Sequence, residues 1–193
     1  SFYETVEKNR KHVLGLLDLA LRQKPDIVCL PEAFTTASVN GEDKGELAEA
    51  VPGPTTDAVA ERAKANKCYV ICPIQTKRDS KLWNSAVVID RSGNIFGIYD
   101  KVHPVTSSSD YTVFEGGITP GSEVPVFDLD FGRIGIQICF DIGFPESWEI
   151  LSKKGAKMVF WPSAYNGGFP LQVYAYLHHY YVVYSVRSDK SKI

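Results

Sequence analysis

The sequence predicts an α/β protein, and three observations carry that expectation. Helix-period and strand-type segments mix along the chain instead of separating into blocks. Several short β-rich runs end abruptly at a proline or a charged residue. A chain of 193 residues, 44% hydrophobic and 23% charged, has the ordinary balance of a domain with one sizeable core. No repeat, low-complexity tract or Pro/Gly linker divides it, so residues 1–193 read as a single domain.

The elements follow in order. Tyr3 to Gln23 reads as an amphipathic helix, with Val6, Val13, Leu17 and Leu21 at helical spacing. Asp26–Leu30 reads as a strand. Thr55–Asn66 reads as a second helix, with Val59, Ala60 and Ala63 on one face and Glu61, Arg62 and Lys64 outside. Strands follow at Tyr69–Ile74, Asn84–Asp90 and Ile95–Tyr99, the last two joined by the turn Arg91-Ser92-Gly93-Asn94. A strand at Val124–Leu129 leads to another at Ile134–Cys139. Pro145–Lys154 reads as a helix. Pro145 suits its first position, Glu146 complements its positive end, and Gly155 stops it after Lys153 and Lys154. Lys157–Trp161 reads as a strand.

Chemistry concentrates where strands end. Cys139 closes the run Ile134-Gly135-Ile136-Gln137-Ile138-Cys139, just before Asp141-Ile142-Gly143-Phe144-Pro145. A thiol between a strand and a helix N-terminus is held rigidly and is expected to favour the thiolate. A lone cysteine is more often a core residue. Two further strand ends change that balance. Glu32 follows Ile27-Val28-Cys29-Leu30-Pro31, and Lys101 follows Ile95-Phe96-Gly97-Ile98-Tyr99-Asp100. Each alone reads as a solvated loop charge. Glu, Lys and Cys at three successive strand ends form a much more specific pattern.

With that pattern the chain resembles the nitrilase-like carbon–nitrogen hydrolase superfamily, and specifically its amidase-type branch. Its Glu–Lys–Cys triad falls on Glu32, Lys101 and Cys139. Val51-Pro52-Gly53-Pro54 resembles the loop before the family's second helix, and Trp83-Asn84-Ser85-Ala86-Val87 its central Asn-Ser strand. Thr119-Pro120-Gly121 with Val126-Phe127-Asp128 resembles the approach to the nucleophile strand. Cys139-Phe140-Asp141 with Phe144-Pro145-Glu146 is close to the nucleophile signature. The resemblance implies a four-layer α-β-β-α sandwich with the site at the strand ends. It also implies a carbon–nitrogen hydrolase domain incomplete at both ends. The family's first strand is absent before the first helix, and its last strands are absent beyond Ser188-Asp189-Lys190-Ser191-Lys192-Ile193. Met158 is the only methionine, so no initiator is present, which removal of an initiator before Ser1 would explain equally well.

The expected chemistry is hydrolysis of a small amide through a thioester, with release of ammonia or an amine. An amide is a poor electrophile and calls for a strong nucleophile. Cys139 attacks, Glu32 moves the proton, and Lys101 with the Phe140 backbone N–H faces the oxyanion. Glu115 is read as a second glutamate that holds the lysine and contacts substrate. His103 reads as structural, since Glu32 already supplies a base. Trp161-Pro162-Ser163-Ala164-Tyr165-Asn166-Gly167-Gly168-Phe169 reads as a pocket wall or an ordinary connection, with Ser163 and Tyr165 as candidate substrate contacts. Phe140-Asp141 stands where true nitrilases carry Trp-Glu, which favours an amide over a nitrile. Ile142, Gly143 and Phe144 supply no basic clamp, which favours a neutral amide over an N-carbamoyl acid. Arg187 is the nearest candidate for an overlooked clamp. A non-catalytic relative or binding subunit, an N-carbamoyl amidohydrolase and an acyltransferase using the same triad stay open. The first gains weight because Tyr174-Ala175-Tyr176-Leu177-His178 replaces the family's Arg-Ala-x-Glu-Asn motif.

Other classes are disfavoured. A net charge of −2 gives no electrostatic case for nucleic acid or an anionic membrane, and no apolar run spans a bilayer. Four cysteines without a disulfide framework fit a reduced, cytoplasmic setting. Cys68 and Cys72 read as core residues, because no second pair at zinc spacing accompanies them. His178 and His179 are adjacent and do not form a metal pair. No metal or organic cofactor is expected. A homodimer or higher homo-oligomer is expected through the helix after the nucleophile and one near Leu171–Tyr180. Trp148, Ile150, Leu151, Tyr174 and Tyr176 are its candidate contacts.

Overall fold

The computed structural model describes residues 2–40, 44–106 and 109–187. The terminal run 188–193, where the chain was expected to stop short of further strands, lies outside them. Helix α1 (Val6–Leu21) starts where Thr5 Oγ1 accepts the Lys8 N–H at 3.3 Å, and it buries Val13, Leu14, Leu17 and Leu21. Strand β1 (Ile27–Cys29) and the short helix α2 (Lys44–Leu47) precede α3 (Pro54–Asn66). Pro54 opens α3, and Lys67 ends it in the left-handed region.

Strands β2 (Tyr69–Arg78) and β3 (Lys81–Ile89) are longer than the sequence patterning indicates. Their polar ends, Lys77, Arg78 and Lys81, look like loop. Yet Asp79 and Ser80 both take positive φ, 49° and 60°, and close a two-residue turn that pairs Arg78 with Lys81. Strand β4 (Ile95–Asp100) completes a sheet ordered β1-β2-β3-β4, with β1 parallel to β2 and the rest antiparallel. The second sheet is β5-β6-β7-β8: β5 (Val126–Leu129), β6 (Gly132–Ile136), β7 (Met158–Ser163) and β8 (Tyr181–Val186). In it β5 and β6 are antiparallel, while β6, β7 and β8 are parallel. Helix α4 (Pro145–Lys153) connects β6 to β7, and α5 (Phe169–His178) connects β7 to β8.

Period-two alternation sends each strand's side chains to two cores. Val70, Cys72 and Ile74 of β2 pack with α1 and α3. Ile71 of β2, with Ala86, Val88 and Tyr99, packs against Phe127, Ile134, Ile136 and Phe160 of the other sheet. Val159 and Trp161 of β7 pack outward on Trp148, Leu151, Leu171 and Tyr174. The layers therefore run helix, sheet, sheet, helix. Close approach requires glycine at two points. A Cβ on Gly97 would sit 2.6 Å from the Phe127 ring across the sheets, and one on Gly135 would sit 2.6 Å from Leu151 of α4.

Two expectations need correction here. Trp148, Leu151 and Tyr174 are core residues and not surface contacts for a partner copy. Trp148 stacks on Tyr174 at 4.3 Å, and the Tyr174 hydroxyl donates to the Ile142 carbonyl at 2.7 Å. Of the five candidates, only Ile150 and Tyr176 face outward, at 38% and 78% exposure. The nucleophile strand also stops early. β6 ends at Ile136, and Cys139–Gly143 forms a separate 3₁₀ turn before α4.

Candidate active site

The first sheet brings two charges together below its surface. Glu32 lies just beyond β1 and is 4% exposed. Ala33 after it takes φ 43°, so the chain turns sharply there. Lys101 follows β4, and its backbone N–H still donates to the Asn84 carbonyl at 2.9 Å. Its side chain is fully buried. The ammonium donates to Glu115 Oε1 at 2.7 Å and to Glu32 Oε1 at 3.2 Å. Asn84 Nδ2 donates to the same Glu32 oxygen at 2.9 Å. Burial alone would pull the lysine pKa down. Glu32, Glu115 and Cys139 outweigh it and carry the ammonium above the ordinary lysine range. Lys101 is thus a fixed positive charge.

The second sheet brings the thiol. Cys139 is 6% exposed and takes φ 47°, a left-handed conformation that costs a non-glycine residue about 1–3 kcal/mol. Its carbonyl accepts the Trp161 indole N–H at 3.0 Å. Burial pushes the thiol pKa up to about 11, and the Glu32 carboxylate adds to the rise. Lys101 and hydrogen bonds from the Ala164 N–H and the Ser163 hydroxyl act the other way without winning. The expected helix-favoured thiolate is therefore not what the turn provides. Helix α4 begins only at Pro145, and desolvation dominates. Burial thus favours the neutral thiol at Cys139.

The remaining candidates fall around this centre. Ser163 ends β7, is fully buried, and hydrogen-bonds Cys139 through its hydroxyl while accepting the Tyr165 N–H at 3.1 Å. Tyr165 is 45% exposed and packs edge-on against Trp161 at 5.6 Å. Its hydroxyl pKa is raised by burial and by the Cys139 and Glu32 charges, with Lys101 opposing. Phe140 is 36% exposed and meets Phe144 edge-on at 5.6 Å. Trp161 and Pro162 belong to β7 and are buried, so the expected Trp161–Phe169 wall narrows to the loop after Ser163. His103 does not face the thiol. Its ring stacks on Phe144 at 3.7 Å, and its Nδ1 lies 3.0 Å from Asp141. Arg187 donates its backbone N–H to the Ser163 carbonyl at 3.1 Å, one rung past the end of β8. Cys68 and Cys72 are fully buried in the first core.

Sequence reasoning gave no individual role to Asn84 or Tyr99, and it placed Asp141 and Trp161 only within longer motifs. Asn84 offered a signal, because asparagine is depleted in strand interiors. The other three offered none beyond their proximity to the motifs. Among the described residues, no group of three His, Cys, Asp or Glu side chains is placed to hold a metal ion. No helix among them is long and apolar enough to cross a membrane.

The fold and the clustered Glu, Lys and Cys define a nitrilase-like carbon–nitrogen hydrolase domain. The carbon–nitrogen hydrolase family model matches residues 1–189, and the chain belongs to that family. It is 34% identical over 160 residues to a Pyrococcus abyssi protein named nitrilase, covering 81% of this chain and 59% of that one. It is 30% identical over 163 residues to omega-amidase NIT2 of Bos taurus, covering 82% and 59%. The chain spans about half the length of the curated relatives it matches. Among solved structures, Saccharomyces cerevisiae Nit3, a member of branch 10 of the nitrilase superfamily, superposes with a TM-score of 0.82 at 20% identity, covering 100% of this chain and 74% of that one. The C. elegans NitFhit protein superposes with a TM-score of 0.84 at 25% identity, covering 97% and 50%.

Proposed function

We propose that the chain carries the catalytic centre of an amidase-type hydrolase that uses Cys139 as its nucleophile. The observation that carries this reading is the buried Lys101 ammonium paired with buried Glu32 and half-exposed Glu115, beside Cys139, whose thiol pKa burial raises. Structural proteins seldom bury a cation between two carboxylates, because desolvation costs several kcal/mol per ion. The names of the relatives, omega-amidase and nitrilase, agree with carbon–nitrogen bond chemistry.

Sγ bonds to the amide carbonyl carbon as its proton passes to Glu32. The thiol is a neutral acid at rest, so a base must act during the attack. Negative charge moves to the carbonyl oxygen, where Lys101 and the Phe140 N–H face it. The carbon–nitrogen bond then breaks, and the Glu32 proton leaves with the amine. Water attacks the thioester and gives its proton to Glu32. The carbon–sulfur bond breaks, the acid departs, and Glu32 returns its proton to Sγ, restoring the thiol. Asn84 and Lys101 both hold Glu32 Oε1, which leaves Oε2 for the proton. Substrate is a small neutral amide, received beside Phe140 and Tyr165.

Cys139→Ala tests the proposal. It is a small change at a 6%-exposed position, so the fold should persist. Ammonia release across a panel of amides, nitriles and carbamoyl compounds should fall about 10⁴-fold or more. Full activity in a folded Cys139→Ala protein would defeat the reading. Absence of ammonia release in wild type would favour a non-catalytic binding subunit instead.

A further inference from the structure

The geometry points to Asp141 as the positioning residue that locks Lys101 and Cys139 into one frame. The two come from different sheets. The apolar core between those sheets, built on Ile71, Val88, Ile134 and Phe160, is non-directional and sets no hydrogen-bond geometry. Asp141 supplies it. The residue is fully buried, two positions after Cys139. Its Oδ2 accepts the Ile138 N–H at 2.8 Å and the Tyr99 hydroxyl at 2.7 Å. Its Oδ1 accepts the His103 N–H at 2.9 Å and lies 3.0 Å from His103 Nδ1. Its carbonyl accepts the Trp148 indole N–H at 3.0 Å.

One of the four carboxylate contacts would suffice to form the turn. The other three cross to the first sheet, and they land on Tyr99 and His103, two residues before and two after Lys101. Lys101 is therefore bracketed, and the carboxylate doing so also holds the amide adjacent to the strained Cys139. The donors are themselves fixed. Tyr99 is fully buried, with a phenol pKa raised by burial and by Asp141, so it stays a donor. The His103 ring is stacked parallel to Phe144 at 4°.

Asp141 acts in this way within the amidase reading above, so the test has one arm with substrate and one without. Asp141→Asn keeps the shape but presents an N–H₂ to donors that need an acceptor. In a folded variant, kcat for ammonia release should fall about a hundredfold with KM within about threefold, since small misplacement of reacting groups acts on the chemical step. Without substrate, iodoacetamide labelling of Cys139, followed by peptide mass mapping against pH, should show its midpoint fall toward the value of about 8.5 typical of a free cysteine. A residue that served stability alone would lower Tm and leave kcat and the midpoint of the folded protein unchanged. Tyr99→Phe removes one donor and decides the matter if Asp141→Asn does not fold. Its kcat should fall about three- to tenfold, with KM unchanged and the midpoint lowered. Wild-type kcat and midpoint in either folded variant would overturn the assignment. Ammonia release that survives Cys139→Ala would defeat the amidase reading, and the labelling midpoint would still decide the role of Asp141.

Discussion

The two sheets build their halves of the site by opposite means. The first uses charge. Lys101 pairs with Glu32 and with Glu115, and Asn84 adds a third polar contact, so these groups hold their places by pairing. The second uses backbone. Cys139 sits in a left-handed turn, pinned by Trp161 and Asp141 through main-chain groups. On the proposed mechanism, the contrast follows from the tasks. A base and a fixed cation stabilise each other in the resting state. A nucleophile needs to be aimed without being ionised early, and a thiol pushed up to about 11 is held in reserve. A site made this way should fail differently on its two sides.

Breaking the charged half should produce the largest effect. Lys101→Met keeps the length of the side chain and removes its charge. Glu32 is then left buried without its cation, and half-exposed Glu115 loses its partner. Removing one partner of a buried ion pair typically costs about 3–5 kcal/mol, and losing one oxyanion donor costs about 10²–10³ in kcat. Urea denaturation and ammonia release should show both losses together. A Lys101→Met protein with unchanged unfolding midpoint and unchanged kcat would mean that the ion cluster supports neither the fold nor the chemistry.

The backbone half is sharpened by pH. With its thiol near 11, wild-type Cys139 should be alkylated by iodoacetamide about tenfold faster per pH unit from pH 7 to 10, in step with the thiolate fraction. The sign is that of an acid whose neutral form is favoured by burial. Ionisation is therefore late, and reactivity keeps climbing above pH 9. A profile already flat at pH 7 would instead mean a resting thiolate–ammonium pair and would remove the need for Glu32 in the attack.

The same contrast explains what was legible in the sequence. The α/β class and the order of the strands were readable because apolar periodicity and turn residues are local signals. The grouping of Glu32, Lys101 and Cys139 was readable because each stands at the end of such a run. The length of the β2–β3 hairpin was not, since Asp79 and Ser80 override the polar character of Lys77, Arg78 and Lys81. The thiol's elevated pKa was not, because desolvation depends on tertiary packing that no local pattern carries. The Asp141 contacts were hidden for the same reason. Tyr99 lies 42 residues away and meets Asp141 only when the two sheets stack. Trp148 and Tyr174 looked like interface aromatics and proved to be the core of the outer layer. Composition does not distinguish these two uses of an aromatic side chain.

The smallest expected effect concerns which acyl group the completed site receives. Lys101 is committed to Glu32 and Glu115, so it offers no spare cation to a substrate carboxylate. The turn after Cys139 offers Ile142, Gly143 and Phe144, and Phe144 is occupied by the His103 stack. The exposed groups near the thiol are the aromatic rings of Phe140 and Tyr165. A carboxylate entering there would lose hydration without gaining a partner, which is costly. A neutral aliphatic or aromatic amide should therefore show kcat/KM roughly tenfold or more above that of an N-carbamoyl amino acid of similar size. The corresponding nitrile should be poorer still. Arg187 is a further cation whose backbone reaches these strand ends, through its bond to Ser163. If the carbamoyl acid matches or exceeds the amide, and Arg187→Ala abolishes only the carbamoyl activity, then Arg187 is the clamp and the preference for neutral substrates is wrong. If Arg187→Ala leaves the ratio of the two substrates unchanged, selection rests on the aromatic rings beside the thiol.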